Sequence, residues 1–200
     1  MKKIITLILI ACTAFMSLSA QDVSSQLGEA RKYYGDGDLQ SARFALQQAM
    51  NEIDLAIGRE ILKLLPQKMG EMPVIENNDE YNATSLGFAG IYVNRYYGNM
   101  EDKHASIQLI TDSPMLTGVN AILSLPMIGM GDPNQKRIRI GNYRGLMQKS
   151  TDESGIVSWD VQIPFGASLL TFQCVGIGDE KTVTNMANTI PVDAMAKLVQ

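Results

Sequence analysis

Two periods of hydrophobicity divide this chain. In LGEARKYYGDGDLQSARFALQQAM, residues 27–50, apolar or small side chains recur at helical spacing on both sides of a Gly-Asp turn. Ala30 and Tyr33 precede the turn Gly35-Asp36-Gly37-Asp38, and Leu39, Ala42, Leu46 and Ala49 follow it. Two helices are predicted, with Asp38 as N-cap of the second, its carboxylate accepting orphan backbone N–H groups at the positive helix end. The stripe that starts at Leu39 continues through Ile53, Ile57, Ile61 and Leu64 until Leu65-Pro66 stops it. Gly58, a weak helix former, is the expected place for a kink.

Residues 67–82, QKMGEMPVIENNDEYN, have no period and read as a connecting loop. Beyond them the period becomes two. Ala105, Ile107 and Leu109 alternate with Ser106 and Gln108, and Val157, Trp159, Val161 and Ile163 alternate with Ser158, Asp160 and Gln162. Leu170, Phe172 and Cys174 make a further row, Ile138 and Ile140 a shorter one, and 91–97 and 143–149 complete the expected strands. Such alternation implies an antiparallel sheet with one buried face. Helices interrupt it. Ser113 is the expected N-cap of a helix with Pro114 at its first position, running to about Leu125. Asp179 is expected to cap a helix through Ala187, and Pro191 to open one ending at Val199. The order, a helical preface and then ββ-α-ββββ-α, is α+β.

The beginning of the chain adds a compartment. MKKIITLILIACTAFMSLSA has a basic start at Lys2 and Lys3, a short apolar run and small residues before Gln21, the pattern of a cleaved bacterial signal peptide over 1–20. The run is too short for a spanning helix, and no later run approaches the ~20 apolar residues such a helix needs. Export to the periplasm or cell exterior is expected, with cleavage after Ala20. Leu9-Ile10-Ala11-Cys12 also resembles a lipobox, so a lipid anchor on Cys12 is the alternative; the apolar run persisting beyond Cys12 favours simple cleavage.

Charge and cysteine content narrow the function. Without Lys2 and Lys3 the chain has 15 basic and 21 acidic residues, a net charge near −6. That balance argues against nucleic acid, whose binding rests on clustered Lys and Arg. Cleavage would leave Cys174 as the single cysteine, with no intramolecular disulfide. One histidine, His104, and one cysteine fall short of the three or four ligands of zinc or iron–sulfur centres. No G-x-S-x-G elbow is present, and Cys174 sits in an inward row where a thiol is inert. VGIGDEKT, residues 175–182, lacks phosphate-loop spacing, and its Asp179 and Glu180 would oppose a phosphate. GDGD and ENNDE do not fit a calcium loop. The methionines, Met69, Met72, Met127 and Met130 among them, read as packing residues rather than copper ligands. No cofactor, no metal and no catalytic residue is therefore expected.

One constellation points to contact. In QKRIRIGNYRG, Arg137 and Arg139 lie opposite the Ile138/Ile140 face, with Tyr143 and Arg144 beyond a Gly-Asn turn. IYVNRYYG adds Tyr92, Arg95, Tyr96 and Tyr97. Arg and Tyr combine large contact area with directional donors, as binding surfaces require.

Two resemblances accompany this reading. Ala30, Tyr33, Gly37, Asp38, Leu39, Ala42, Leu46 and Ala49 resemble one tetratricopeptide repeat, in which small residues let antiparallel helices approach closely. Gln26 replaces the aromatic expected near the start, Asp54 the closing proline, and no second copy follows. The order of strands and helices resembles the Mog1/PsbP-like fold. ILKLLP, RYYG, TDSPML and IRIGNYRGLM are similar to an uncharacterised family of exported bacterial proteins. The expected organisation is a TPR-like hairpin over 21–66, a connecting loop over 67–82 and an α+β domain over 83–200. The expected role is a non-catalytic cell-envelope interaction or accessory protein with a protein partner. A periplasmic small-ligand-binding protein using a cleft between sheet and helix is the alternative, and an unrecognised hydrolase based on His104 the third.

Overall fold

The computed structural model describes residues 18–75, 77–83, 90–125 and 133–200. Cys12 with most of the predicted leader, and the pair Met127 and Met130, lie outside them. The fold is α+β: a helical pair, then a seven-stranded antiparallel sheet with helices. The chain divides into two compact units after Ala56.

In the first unit, α1 (Leu18–Gly35) and α2 (Leu39–Leu64) are joined at Asp36–Asp38, where Gly37 takes φ +80°. Asp38 caps α2 as expected, its Oδ1 accepting from the Ser41 N–H at 3.1 Å. The seam differs from the predicted stripe. Ala30, Ala42, Ala45 and Ala49 are buried, whereas Leu39 (63% exposed), Leu46 (47%) and Ile53 (46%) are not. The positions buried in this pair are small alanines, and the bulky row of α2 stays exposed. Helix α2 runs unbroken through Gly58. Gly58 serves packing there, because a Cβ would stand 3.2 Å from that of Tyr81.

The second unit begins with the last turns of α2. The predicted loop 67–82 carries structure of its own. The short strands β1 (Lys68–Met69) and β2 (Met72–Pro73) form a tight hairpin, and β3 (Glu80–Ala83) is an edge strand of the main sheet. Met69 and Met72 are buried in the core, a fixed contact that a two-residue strand cannot announce by periodicity. There follow β4 (Ile91–Gly98), β5 (His104–Thr111), α3 (Leu116–Ser124), β6 (Gln135–Ile140), β7 (Tyr143–Thr151), β8 (Val157–Phe165), β9 (Ser168–Val175), α4 (Glu180–Ala187) and α5 (Val192–Val199).

The sheet order is β3-β4-β5-β9-β8-β7-β6, every neighbouring pair antiparallel. The predicted rows share one face. Ala105, Ile107, Leu109, Trp159, Val161, Ile163, Leu170, Phe172 and Cys174 are buried in one cluster with Ile61, Leu62 and Leu65 of α2, Val183 and Met186 of α4, and Met195 of α5. Burying a side chain of this size contributes about 1.5–3 kcal/mol each, so this face holds the unit together. Opposite it, α3 closes a smaller cluster of Val119, Leu123, Leu146 and Leu169.

In this unit two of the three predicted helix starts hold. Asp179 caps α4, accepting from the Thr182 N–H at 2.8 Å, and Pro191 precedes α5. Ser113 does not cap α3. Its carbonyl accepts from the Leu116 N–H at 3.1 Å, closing a turn over Pro114 and Met115, so the helix starts two residues later than expected.

Gly98, at the end of β4, has φ +86°, and a Cβ there would lie 2.4 Å from the Lys103 carbonyl oxygen. Gly98→Ala should lower the unfolding free energy by about 2 kcal/mol or more, measured by urea titration. A loss below 0.5 kcal/mol, given as an order-of-magnitude bound, would show that the β4–β5 turn relaxes freely.

Candidate functional site

Three of the predicted contact residues converge. Register pairs Arg137 with Leu146 and Arg139 directly with Arg144, so the three arginines share the face that α3 packs against. The β6–β7 hairpin turns through Gly141-Asn142, with Gly141 at φ +54°, the backbone region that glycine enters without strain. Helix α3 lies alongside, held by Leu123 and Val119 on Leu146. Between hairpin and helix is a cleft of about 500 Å³, lined by Arg137, Arg139, Arg144, Asn120, Ser124 and Asn142 among others. Arg137 donates to the Leu125 carbonyl at the end of α3. Among the described residues, no carboxylate lines the cleft and none of the three arginines forms an ion pair.

The remaining members of the constellation lie elsewhere. Tyr143 borders the cleft, but its register partner is Ile140, and its ring goes to the core side, edge-on to Phe165 at 5.7 Å. There its hydroxyl is raised above the usual range by desolvation and by a hydrogen bond with Asp193. Tyr92 and Tyr96 are on β4, five strand spacings from β6, or about 24 Å. The Tyr92 hydroxyl accepts from Gln108 Nε2 at 3.3 Å.

Arg95 is not a surface residue at all. It alternates with Val93 and Tyr97 on the core side and is 6% exposed. Nε and Nη2 donate to the two carboxylate oxygens of Asp79 at 2.8 and 2.5 Å, and Nη1 donates to the Leu65 carbonyl at 3.1 Å. Beside it the Tyr97 hydroxyl donates to the Pro66 carbonyl at 3.0 Å. This is a structural clamp on the end of α2 and on the segment leading into β3. The geometry thus divides the predicted surface into an arginine cleft, a separate tyrosine pair and a buried clamp.

The catalytic candidates occupy unremarkable settings. Cys174 is fully buried, and desolvation pushes its thiol up to about 11, away from thiolate reactivity. His104 is half-buried at the start of β5, with Nδ1 3.3 Å from the Asp102 carbonyl. The end of α4 that a phosphate loop would need is occupied by the Asp179 carboxylate. Among the described residues, no group of three His, Cys, Asp or Glu side chains is placed to hold a metal. No described helix is long and apolar enough to cross a membrane.

Asn120 and Ser124 entered the cleft without being singled out from sequence. Their i, i+4 spacing, which puts them on one face of α3, was the available signal. Asp160 was also passed over. Desolvation raises its carboxyl above the usual range, and a hydrogen bond with Gln162 opposes the rise.

No protein-family model, curated protein or solved structure matches this chain.

Two predictions follow from these placements. Asp79→Asn leaves the Arg95 charge buried with reduced compensation. Because Asp79 is partly exposed, the expected loss is about 2–3 kcal/mol, below the full cost of breaking a buried pair, measurable by denaturant unfolding. Asp160→Asn should act oppositely. Folding raises the Asp160 pKa, so its charge costs stability above the raised value, and the cost disappears as pH falls toward 3.8. The variant should unfold at a higher temperature than the parent at pH 7, with the two curves converging near pH 4. A gain independent of pH would show that ionisation is not its origin.

Proposed function

We propose that this chain is an exported, non-catalytic contact protein of the cell envelope and that the arginine cleft is where it holds its partner. The observation that carries the reading is the trio Arg137, Arg139 and Arg144 around a cleft that no carboxylate of the described residues lines, on a chain that is acidic as a whole. Guanidinium groups supply charge and directional donors but neither a nucleophile nor a base at neutral pH, which suits binding rather than bond-making. The leader pattern supports export, with cleavage after Ala20 or lipidation at Cys12 as the two routes. The antiparallel sheet flanked by helices supports kinship with the Mog1/PsbP-like fold. The alanine seam between α1 and α2 supports a TPR-like hairpin.

A small anionic ligand is the second reading, favoured by the concavity itself. About 500 Å³ falls within the ~300–1,000 Å³ of ordinary ligand pockets.

The test is crosslinked capture of the tagged protein from its own envelope, followed by mass spectrometry, with the parent chain and an Arg137→Glu, Arg139→Glu variant side by side. A partner recovered with the parent and lost with the variant, at an unchanged thermal midpoint, is the expected result. A partner recovered equally by both would move the contact away from the cleft. An empty capture accompanied by a saturable rise in thermal midpoint with a metabolite would favour the second reading.

A further inference from the structure

The arrangement of the three arginines narrows what the cleft holds. Arg139 and Arg144 are directly opposed across the β6–β7 ladder, so their Cβ atoms are about 5 Å apart. Arg137 stands one pleat repeat along the same strand, about 7 Å from Arg139. Like charges directly opposed on a sheet are unfavourable, and here neither member has an anionic partner among the described residues. The third guanidinium is oriented by its bond to the Leu125 carbonyl. Asn120, Ser124 and Asn142 add neutral hydrogen-bonding groups to the lining, the Ser124 hydroxyl already donating to the Asn120 carbonyl at 2.7 Å, and Leu123 and Pro164 add apolar ones.

We infer that the cleft is a binding site for a tetrahedral phosphoryl oxyanion. A carboxylate has two oxygens in one plane and satisfies a single guanidinium fork. A phosphoryl group has three or four oxygens on different sides and meets three forks arriving from two strands. Its charge also offsets the opposition of Arg139 and Arg144. The neutral groups in the lining suit the hydroxyls of whatever carries the phosphate, either a soluble phosphoester or a phospholipid headgroup. This inference rests on the proposal that the arginine cleft is the contact site, and it names the chemical group recognised there.

The experiment measures the thermal midpoint of the full chain in sodium phosphate, sodium acetate and sodium chloride at matched ionic strength, with phosphorus NMR line broadening as a second readout. Phosphate should raise the midpoint saturably and acetate should match chloride. Arg139→Gln with Arg144→Gln should weaken phosphate binding at least about tenfold. Arg139→Lys, which keeps the charge and loses the fork, should weaken it as well. Arg137→Gln, outside the directly opposed pair but part of the same cleft, should also weaken phosphate binding and provides an independent variant should the double change disturb folding.

No rise above chloride, an equal rise in acetate, or binding unaltered by these substitutions would overturn the inference. Sedimentation with phosphatidylglycerol vesicles separates the two sources. Arginine-dependent co-sedimentation assigns the headgroup, and free phosphate binding without it assigns a soluble phosphoester. If phosphate fails while an arginine-dependent protein partner is captured, this inference falls and the contact reading stands. If phosphate binds and the capture is empty, the reverse holds for a protein partner.

Discussion

The α+β unit depends on one non-local pairing, that of β5 with β9. Eight residue pairs, from His104–Val175 to Thr111–Ser168, join them in antiparallel register across some sixty residues of intervening chain. On one side of that junction lies β3-β4-β5, and on the other β9-β8-β7-β6, each built from consecutive hairpin neighbours. Without the junction there would be two small meanders, each with an apolar face too narrow to bury itself. With it, Ile107 meets Phe172, Leu109 meets Leu170 and Ala105 meets Cys174, and the two rows become one floor on which α4, α5 and the end of α2 rest. Loop closure over that distance is entropically costly, and the apolar area gained along the whole floor is what offsets it.

The same junction decides what can act together. It sets β4 and β6 toward opposite edges, so arginines and tyrosines that look like one population in sequence occupy two regions. Within β4 a second rule, pleat parity, separates residues one position apart. IYVNRYYG has an aromatic residue on both parities, at Tyr96 and Tyr97, so its sequence does not say which face is buried. Register with Ile107 puts Arg95 inward, and the charge is tolerated there because Asp79 and the Leu65 carbonyl accept its donors. For β5, β8 and β9 the buried face was legible, because the inward positions are apolar except for Thr111 and Ser168 at the strand ends, and the alternate positions are mostly polar. Strand order was not, since it is a property of the pairing and not of any one strand.

The helical pair illustrates a different limit. Spacing correctly indicated two helices and Asp38 as the cap, but hydrophobicity alone put the large residues in the seam. The positions buried in the pair are the small Ala30, Ala42, Ala45 and Ala49, while side chains as large as Leu46 and Met50 remain exposed. Residue size is the physical quantity that the apolar–polar pattern leaves out. The segment 67–82 was lost for a related reason. Its core contacts Met69 and Met72 sit in two-residue strands, below the length at which periodicity has meaning, and its Asp79 is held by a single distant arginine, Arg95.

The arginine cleft is the part of the candidate site that sequence came closest to specifying, and the physics of its position explains how the fold tolerates it. Arg137, Arg139 and Arg144 alternate with Ile138, Ile140 and Gly145, so parity alone sends them to one face once the hairpin closes at Gly141-Asn142. Their mutual repulsion falls in an exposed setting, where water and salt screen it, and the buried face of the same two strands outweighs it. A guest that excludes that water removes the screening. Repulsion between the opposed guanidinium groups and attraction to an anion then grow together, and three forks around one charge make attraction the larger. On the proposed reading, the arrangement is weakly unfavourable when solvated and gains when an anion fills it, because the same charges that repel one another then share one counter-charge.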